Sequence, residues 1–169
     1  MIGDKERILK LIERDVHATP EEIAVMIGKD KAYVQEILDE CVQNQTILGQ
    51  KTIIDWEKTE RELVSAIIEL KVTPQRGSGF DRISERIYQY DEISSVYLVS
   101  GGFDIAVIVE GKTVKEVALF VAEKLAPMDE VISTATHFIL KKYKAEGVIL
   151  NNKMEDDREV ITLWWTTTA

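Results

Sequence analysis

Cysteine, proline and histidine are all scarce here: one, three and two copies among 169 residues. The single thiol, Cys41, excludes a disulfide within the chain and suits a reducing compartment, the cytoplasm. No apolar run is long enough to cross a membrane, and Met1–Lys10 is charged rather than signal-like. His17 and His137 are far apart and in no metal-ligand spacing, so no metal is expected. Gly77-Ser78-Gly79 lacks the Lys-Ser/Thr of a phosphate loop, and there is no G-x-S-x-G. No catalytic constellation is visible; neither an enzyme nor a cofactor is expected.

An excess of positive charge is missing too. The formal net charge is −9, with 9 Lys/Arg against 14 Asp/Glu in residues 1–62 and 12 against 16 in the rest. Neither half has the basic balance that favours contact with phosphates.

What is present is enough apolar residue, 45%, for a packed core in one ordinary domain or two small ones. Ile8, Leu9, Leu11 and Ile12 show helical spacing that ends near Asp15–Ala18. Thr19-Pro20-Glu21-Glu22 restarts a helix: Thr19 can cap, Pro20 suits the first turn, and Glu22 closes a capping box. Ile23, Ala24 and Ile27 face inward and Gly28 ends the segment. Asp30 can cap a third helix whose stripe is Val34, Ile37, Leu38 and Cys41. The short joint Gly28-Lys29-Asp30 fits a helix-turn-helix. Residues 47–54, turning near Gly49, read as a two-stranded wing.

A DNA-reading role needs donors on the third helix, and the plausible readers are Lys29, Lys31, Tyr33 and Gln35, with Lys51 on the wing. Against them, Asp30–Glu40 carries one base and four acids. The other reading of this segment is a helical packing module that touches no DNA.

A charged linker around Trp56, residues 56–62, separates this domain (1–55) from a second (63–144), with a C-terminal extension over 145–169. The second domain opens with an apolar strand, Leu63–Val72, and a helix carrying Phe80, Ile83, Ile87 and Tyr90. Strand-like runs Ser95–Ser100 and Asp104–Val109 then flank Gly101-Gly102, which reads as a tight hairpin turn. Val114, Val117, Val121 and Leu125 form a helix capped at Thr113 and stopped before Pro127. A last strand covers Val131–Lys142. Burying four such side chains is worth roughly 1.5–3 kcal/mol each, so this helix must dock on a sheet.

The order is β-α-β, hairpin, β-α-β: a four-stranded antiparallel sheet with both helices on one face. The fold class is therefore α+β, an N-terminal winged helix-turn-helix followed by a ferredoxin-like domain. The bare sheet face, expected to be rich in Val, Ile and Leu, calls for a second copy of the chain. The tail, with the acidic patch Glu155-Asp156-Asp157 and the run Val160–Trp165, reads as an added strand or packed arm; Trp164 and Trp165 fit edge-strand packing or a crystal or oligomer contact, with a partner-binding anchor as the alternative.

This combination resembles the Lrp/AsnC, or feast/famine, transcriptional regulators over about residues 4–144. The likeness rests on ILKLIERDVHATPEEIAVMIG, SGGFDIAVIVEG and STATHFILKKYK in that order. It implies double-stranded DNA as a partner, homodimers that assemble into tetramers or octamers, and a small amino-acid effector bound near the turn between the middle strands. By that resemblance the effector site draws on Ser100, Gly101, Gly102 and Asp104, with Thr134 and Thr136 from the last strand. Glycines let a ligand approach backbone N–H groups that can hold a carboxylate, while Asp or Thr oxygens accept from an ammonium. The plainer reading is that Asp104 caps its own turn and the threonines merely suit a strand. One departure from the family pattern bears on DNA affinity: the third helix is acidic where recognition helices of the family carry arginines. The second functional reading is accordingly an oligomeric amino-acid-sensing or protein-interaction module with weak or lost DNA binding.

Overall fold

The structure, a computed structural model, describes residues 3–74 and 79–150. Two compact units, Met1–Thr52 and Ile53–Ala169, divide the chain. The tail features at 155–157 and 160–165, with Trp164 and Trp165, lie outside the described residues, as do Gly77 and Ser78.

The N-terminal unit holds α1 (Asp4–Arg14), α2 (Pro20–Ile27) and α3 (Lys31–Gln43) around Ile8, Ile23, Ala24, Ile27 and Val34. The capping box at α2 is complete. Thr19 Oγ1 accepts from the Glu22 N–H at 3.3 Å, and Glu22 Oε2 accepts from the Thr19 N–H at 2.8 Å. Gly28 takes a left-handed φ of 70°, a conformation that spares only glycine a steric cost, and turns the chain into α3. Asp30 precedes α3 in extended conformation, but its side chain makes no capping hydrogen bond. Cys41 is fully buried, as its place on the apolar stripe implies.

The sequence suggests a two-stranded wing at 47–54; this stretch contains no strand. Leu48 is 87% exposed and Ile53 and Ile54 about half as much, and only Ile47 is half-buried, so no buried face fixes a register there.

In the C-terminal unit a 3₁₀ turn, Trp56–Lys58, leads into the sheet. Trp56 is half-buried, with the Arg61 guanidinium 4.3 Å over its ring. The elements are β1 (Val64–Val72), α4 (Asp81–Ile87), β2 (Ile93–Leu98), β3 (Ile105–Gly111), α5 (Val114–Phe120) and β4 (Val131–Phe138). A π-turn over Val121–Leu125 prolongs α5. The sheet order is β2-β3-β1-β4 with every neighbour antiparallel, the expected ferredoxin-like arrangement. A small hairpin, β5 (Lys144–Ala145) and β6 (Val148–Ile149), follows. Glu146 and Gly147 turn it, both with left-handed φ, the geometry that suits two-residue hairpins.

Alternation sets the core. Ala66, Ile68, Leu70 and Val72 of β1 and Ile105, Val107 and Val109 of β3 point to one face. Against them pack Ile83 and Ile87 of α4 and Val117, Phe120, Val121 and Leu125 of α5 and its extension. Thr113 caps α5 by accepting the Glu116 N–H at 3.1 Å. Val114, predicted to be buried, is 54% exposed because it is the first residue of the helix, and Phe120 fills the core instead. Arg86 of α4 donates to both carboxylate oxygens of the buried Glu130 at 3.0–3.1 Å and ties the helix to the start of β4.

β4 ends at Phe138 rather than Lys142, because its partner β1 begins at Val64; the last bond is the Ile139 N–H to the Ser65 carbonyl. The opposite sheet face is more mixed than predicted. Ile67, Tyr97, Ala106, Ile108 and Ala135 share it with Ser65, Ser95, Glu69 and His137, and His137 Nε2 lies 3.3 Å from Glu69 Oε1. The strongest aliphatics went to the helix side.

The core assignment gives a direct stability test. Ile68→Ala should lower unfolding free energy by about 2–5 kcal/mol, and Thr19→Ala by about 1 kcal/mol, both read by urea denaturation. A cost under half a kilocalorie for Ile68→Ala would contradict the assigned core.

Candidate DNA-reading surface and effector rim

Each of the four expected readers beside and on α3 is exposed, and each is already engaged. Lys29, in the turn after Gly28, places its Nζ 3.0 Å from Asp4 Oδ2 of α1 and 5.3 Å over the Tyr33 ring. The Tyr33 hydroxyl donates to the same Asp4 oxygen at 3.5 Å, and an Arg7 Nη1 lies 3.7 Å from Asp4 Oδ1. Lys31 pairs with Glu21 in the first turn of α2. Gln35 donates through Nε2 to Asp39 Oδ1 at 2.8 Å, one turn on. Lys51 lies apart in the unpaired stretch after α3, exposed and without an ion pair among the described residues.

These contacts shift the groups as their charges require. The Lys29 hydrogen bond holds the Asp4 carboxyl below the usual carboxylate range, and the same bond raises Lys29. Lys31 holds the Glu21 carboxyl low in the same way. Lys5 of α1 is raised by its 2.9 Å contact with Glu40, so the far half of α3 is also tied to α1. The outer face of α3 is a shallow concave surface lined by Ala32, Gln35, Glu36, Asp39, Glu40 and Gln43, with no fixed positive charge. Asp4 and Glu21 are what sequence reasoning missed. Nothing in the spacing announces that Asp4 faces the turn 25 residues later; only helix packing does.

The second candidate site lies at the end of the sheet where β2 passes to β3. Gly101-Gly102 is not a tight two-residue turn. The ladder closes at Leu98 opposite Ile105, and six residues, 99–104, make the connection. Neither glycine takes a left-handed φ, and a Cβ built on either would meet nothing within 4 Å. Turn geometry and packing therefore do not explain them. Ser100 is exposed beside them.

Asp104 has a structural job, though not that of capping its own turn. Its Oδ2 accepts the Val72 N–H at 2.8 Å, its own N–H donates to the Leu70 carbonyl at 3.0 Å, and its carbonyl accepts the Val99 N–H at 2.8 Å. It pins the connection to the end of β1. Thr134 stands opposite Leu70 and Thr136 opposite Ile68, on the helix-side face of the β4 edge. Thr134 is half-buried and Thr136 exposed. Asp104 and Thr134 thus share one end of the sheet with β1 between them, while Thr136 sits one step further in. The candidate residues bring backbone N–H groups, one carboxylate and three hydroxyls, a donor and acceptor set that suits a small zwitterion. No cluster of His, Cys, Asp and Glu able to hold a metal occurs among the described residues, and no helix there is long and apolar enough to cross a membrane.

Comparisons with known proteins bear on the family and the fold. Residues 65–149 match the Lrp/AsnC ligand binding domain family. The uncharacterized HTH-type transcriptional regulator YugG of Bacillus subtilis is 42% identical over 95% of this chain and 98% of its own length. Among solved structures, AsnC of E. coli covers 86% of this chain and 96% of its own at 16% identity and a TM-score of 0.66. A Neisseria meningitidis transcriptional regulator, solved as a complex with L-Met, covers 89% and 97% at 14% identity and a TM-score of 0.69.

The Asp104 geometry predicts that Asp104→Ala strands the Val72 N–H and costs about 1–3 kcal/mol of stability. Chemical denaturation measures it; an unchanged midpoint would mean that water replaces the carboxylate.

Proposed function

Because the chain belongs to the Lrp/AsnC family of transcriptional regulators, we propose that it binds double-stranded DNA through its N-terminal unit. In this reading it assembles through the open face of its C-terminal sheet and responds to a small amino acid. The observation that carries the DNA end is the α2–Gly28–α3 joint, a short turn through a left-handed glycine that links two helices as a helix-turn-helix does. Lys29, Lys31, Tyr33, Gln35 and Lys51 are the candidate contacts. One copy should bind weakly, since few phosphates can be neutralised by so acidic a surface, and paired heads would supply avidity.

The effector end rests on Gly101 and Gly102. Glycines that neither the turn nor the packing requires are accounted for by close approach of another molecule. A carboxylate would sit on backbone N–H groups there, and Ser100, Thr134, Thr136 and the remaining lone pairs of Asp104 are the oxygens available to an ammonium. The likeness to a regulator solved with L-Met supports an amino-acid ligand. Effector bound at this rim would act by favouring one assembly geometry and so one spacing of DNA-binding heads.

The open sheet face supports self-association: exposed Ile67 and Tyr97 lie beside Ile108 and Ala135, a surface a second copy would cover. A second reading, a sensing module that no longer binds DNA, is favoured by one observation, that every reader on or beside α3 is held by a carboxylate.

Three experiments test these readings. Gel retardation of the duplex upstream of its own coding sequence, at low salt, should show a complex that Lys31→Ala with Gln35→Ala weakens. No complex at any concentration would leave the sensing module. A thermal-shift screen across the amino acids should show stabilisation by at least one of them, lost in Gly102→Val; a flat screen would remove the effector. Ile67→Asp should lower the mass seen by sedimentation velocity, and an unchanged mass would place the interface elsewhere.

A further inference from the structure

We propose that Asp4 and Glu21 determine the selectivity of DNA binding by competing with DNA phosphates for Lys29 and Lys31. The inference rests on the DNA-binding reading and adds to it two residues that do not themselves read bases.

A carboxylate and a phosphate oxygen offer an ammonium the same kind of acceptor. Asp4 is placed as a hub for the turn: Lys29 at 3.0 Å, the Tyr33 hydroxyl at 3.5 Å and Arg7 at 3.7 Å converge on its two oxygens. Its side chain is only 27% exposed, more sheltered than the lysine it holds. Glu21 holds Lys31 from the first turn of α2. The two pairs belong to different helices and converge on the two lysines closest to the start of α3.

On a random duplex the only reward for contact is a phosphate. Each lysine must then exchange one anion for another, and the abandoned carboxylate is left facing the DNA backbone at close range. The gain is small and the repulsion is new, so non-specific binding is suppressed. On a target sequence Tyr33 and Gln35 can add contacts to base edges, and these offset the repulsion. The carboxylates therefore weaken all binding but weaken non-specific binding more. Neutralising them should invert this balance. Lys29, Lys31 and Arg7 would become available to phosphates together, and the protein would become a tighter, less discriminating binder.

The test uses the full chain with Asp4→Asn and Glu21→Gln, alone and combined. Fluorescence anisotropy is read on a random-sequence duplex and on the duplex upstream of its own coding sequence, at about 50 mM and about 200 mM salt. The double variant should bind the random duplex roughly tenfold more tightly, with a salt slope steeper by about 1–2. The upstream duplex should gain less, so the ratio between the two falls. Each single variant should show part of the effect. This keeps the test decisive if the double variant folds poorly, because the capping box uses Thr19 and Glu22 and survives Glu21→Gln. Glu13→Gln with Glu57→Gln removes the same net charge without touching either pair and should leave binding within about twofold of the parent.

No tightening on random DNA, or equal tightening in the charge-matched control, would overturn the inference. Failure of the parent protein to retard any DNA sinks the DNA-binding reading alone. The inference then stands or falls on whether neutralising Asp4 and Glu21 creates binding.

Discussion

β1 is the strand on which the C-terminal unit depends, because it is paired on both sides, to β3 and to β4. Its alternate residues Ala66, Ile68, Leu70 and Val72 are buried under the helices, and a shift of one residue would turn all four to the opposite face. That penalty locks three strands into one register at once. Asp104 works at the end of the same strand: by accepting the Val72 N–H and donating to the Leu70 carbonyl, it holds the 99–104 connection against β1. The candidate effector rim is therefore fixed by the same strand that fixes the core.

The N-terminal unit follows a different logic. Its core is small, and its outer surface is organised by charge rather than by burial. Cations near α3 meet carboxylates from α1, α2 and α3 itself, so a surface that has donors in sequence has few free donors in space. Exposed pairs of this kind contribute little to stability. What they control is availability to another anion, which links the fold of three short helices to how a polyanion would be received.

Much of the architecture was legible from periodicity and turn chemistry. The capping box at Thr19–Glu22, the left-handed Gly28, the cap at Thr113 and the alternating β1 and β3 runs are local signals with local causes, and the structure has each of them. The misreadings share a cause as well. Apolar composition suggests the wing at 47–54 and the extra residues of β4, but a strand needs a partner, and among the described residues neither stretch is paired. The tight Gly-Gly turn was inferred from residue type alone, whereas the ladder register places six residues in the connection. Val114 fits the helical stripe in sequence but stands at the helix start, where the sheet does not cover it.

By itself the sequence determined the order of elements, the faces that must be buried and the absence of a basic surplus, because each depends on neighbours a few residues apart. Only the tertiary structure decided that Asp4 and Glu21 hold Lys29 and Lys31, that Asp104 serves β1 rather than its own turn, and that Asp104 and Thr134 share an end of the sheet. Those contacts span distances along the chain that no local pattern encodes. They arise where packed helices and paired strands happen to bring charge and hydrogen-bonding groups into reach.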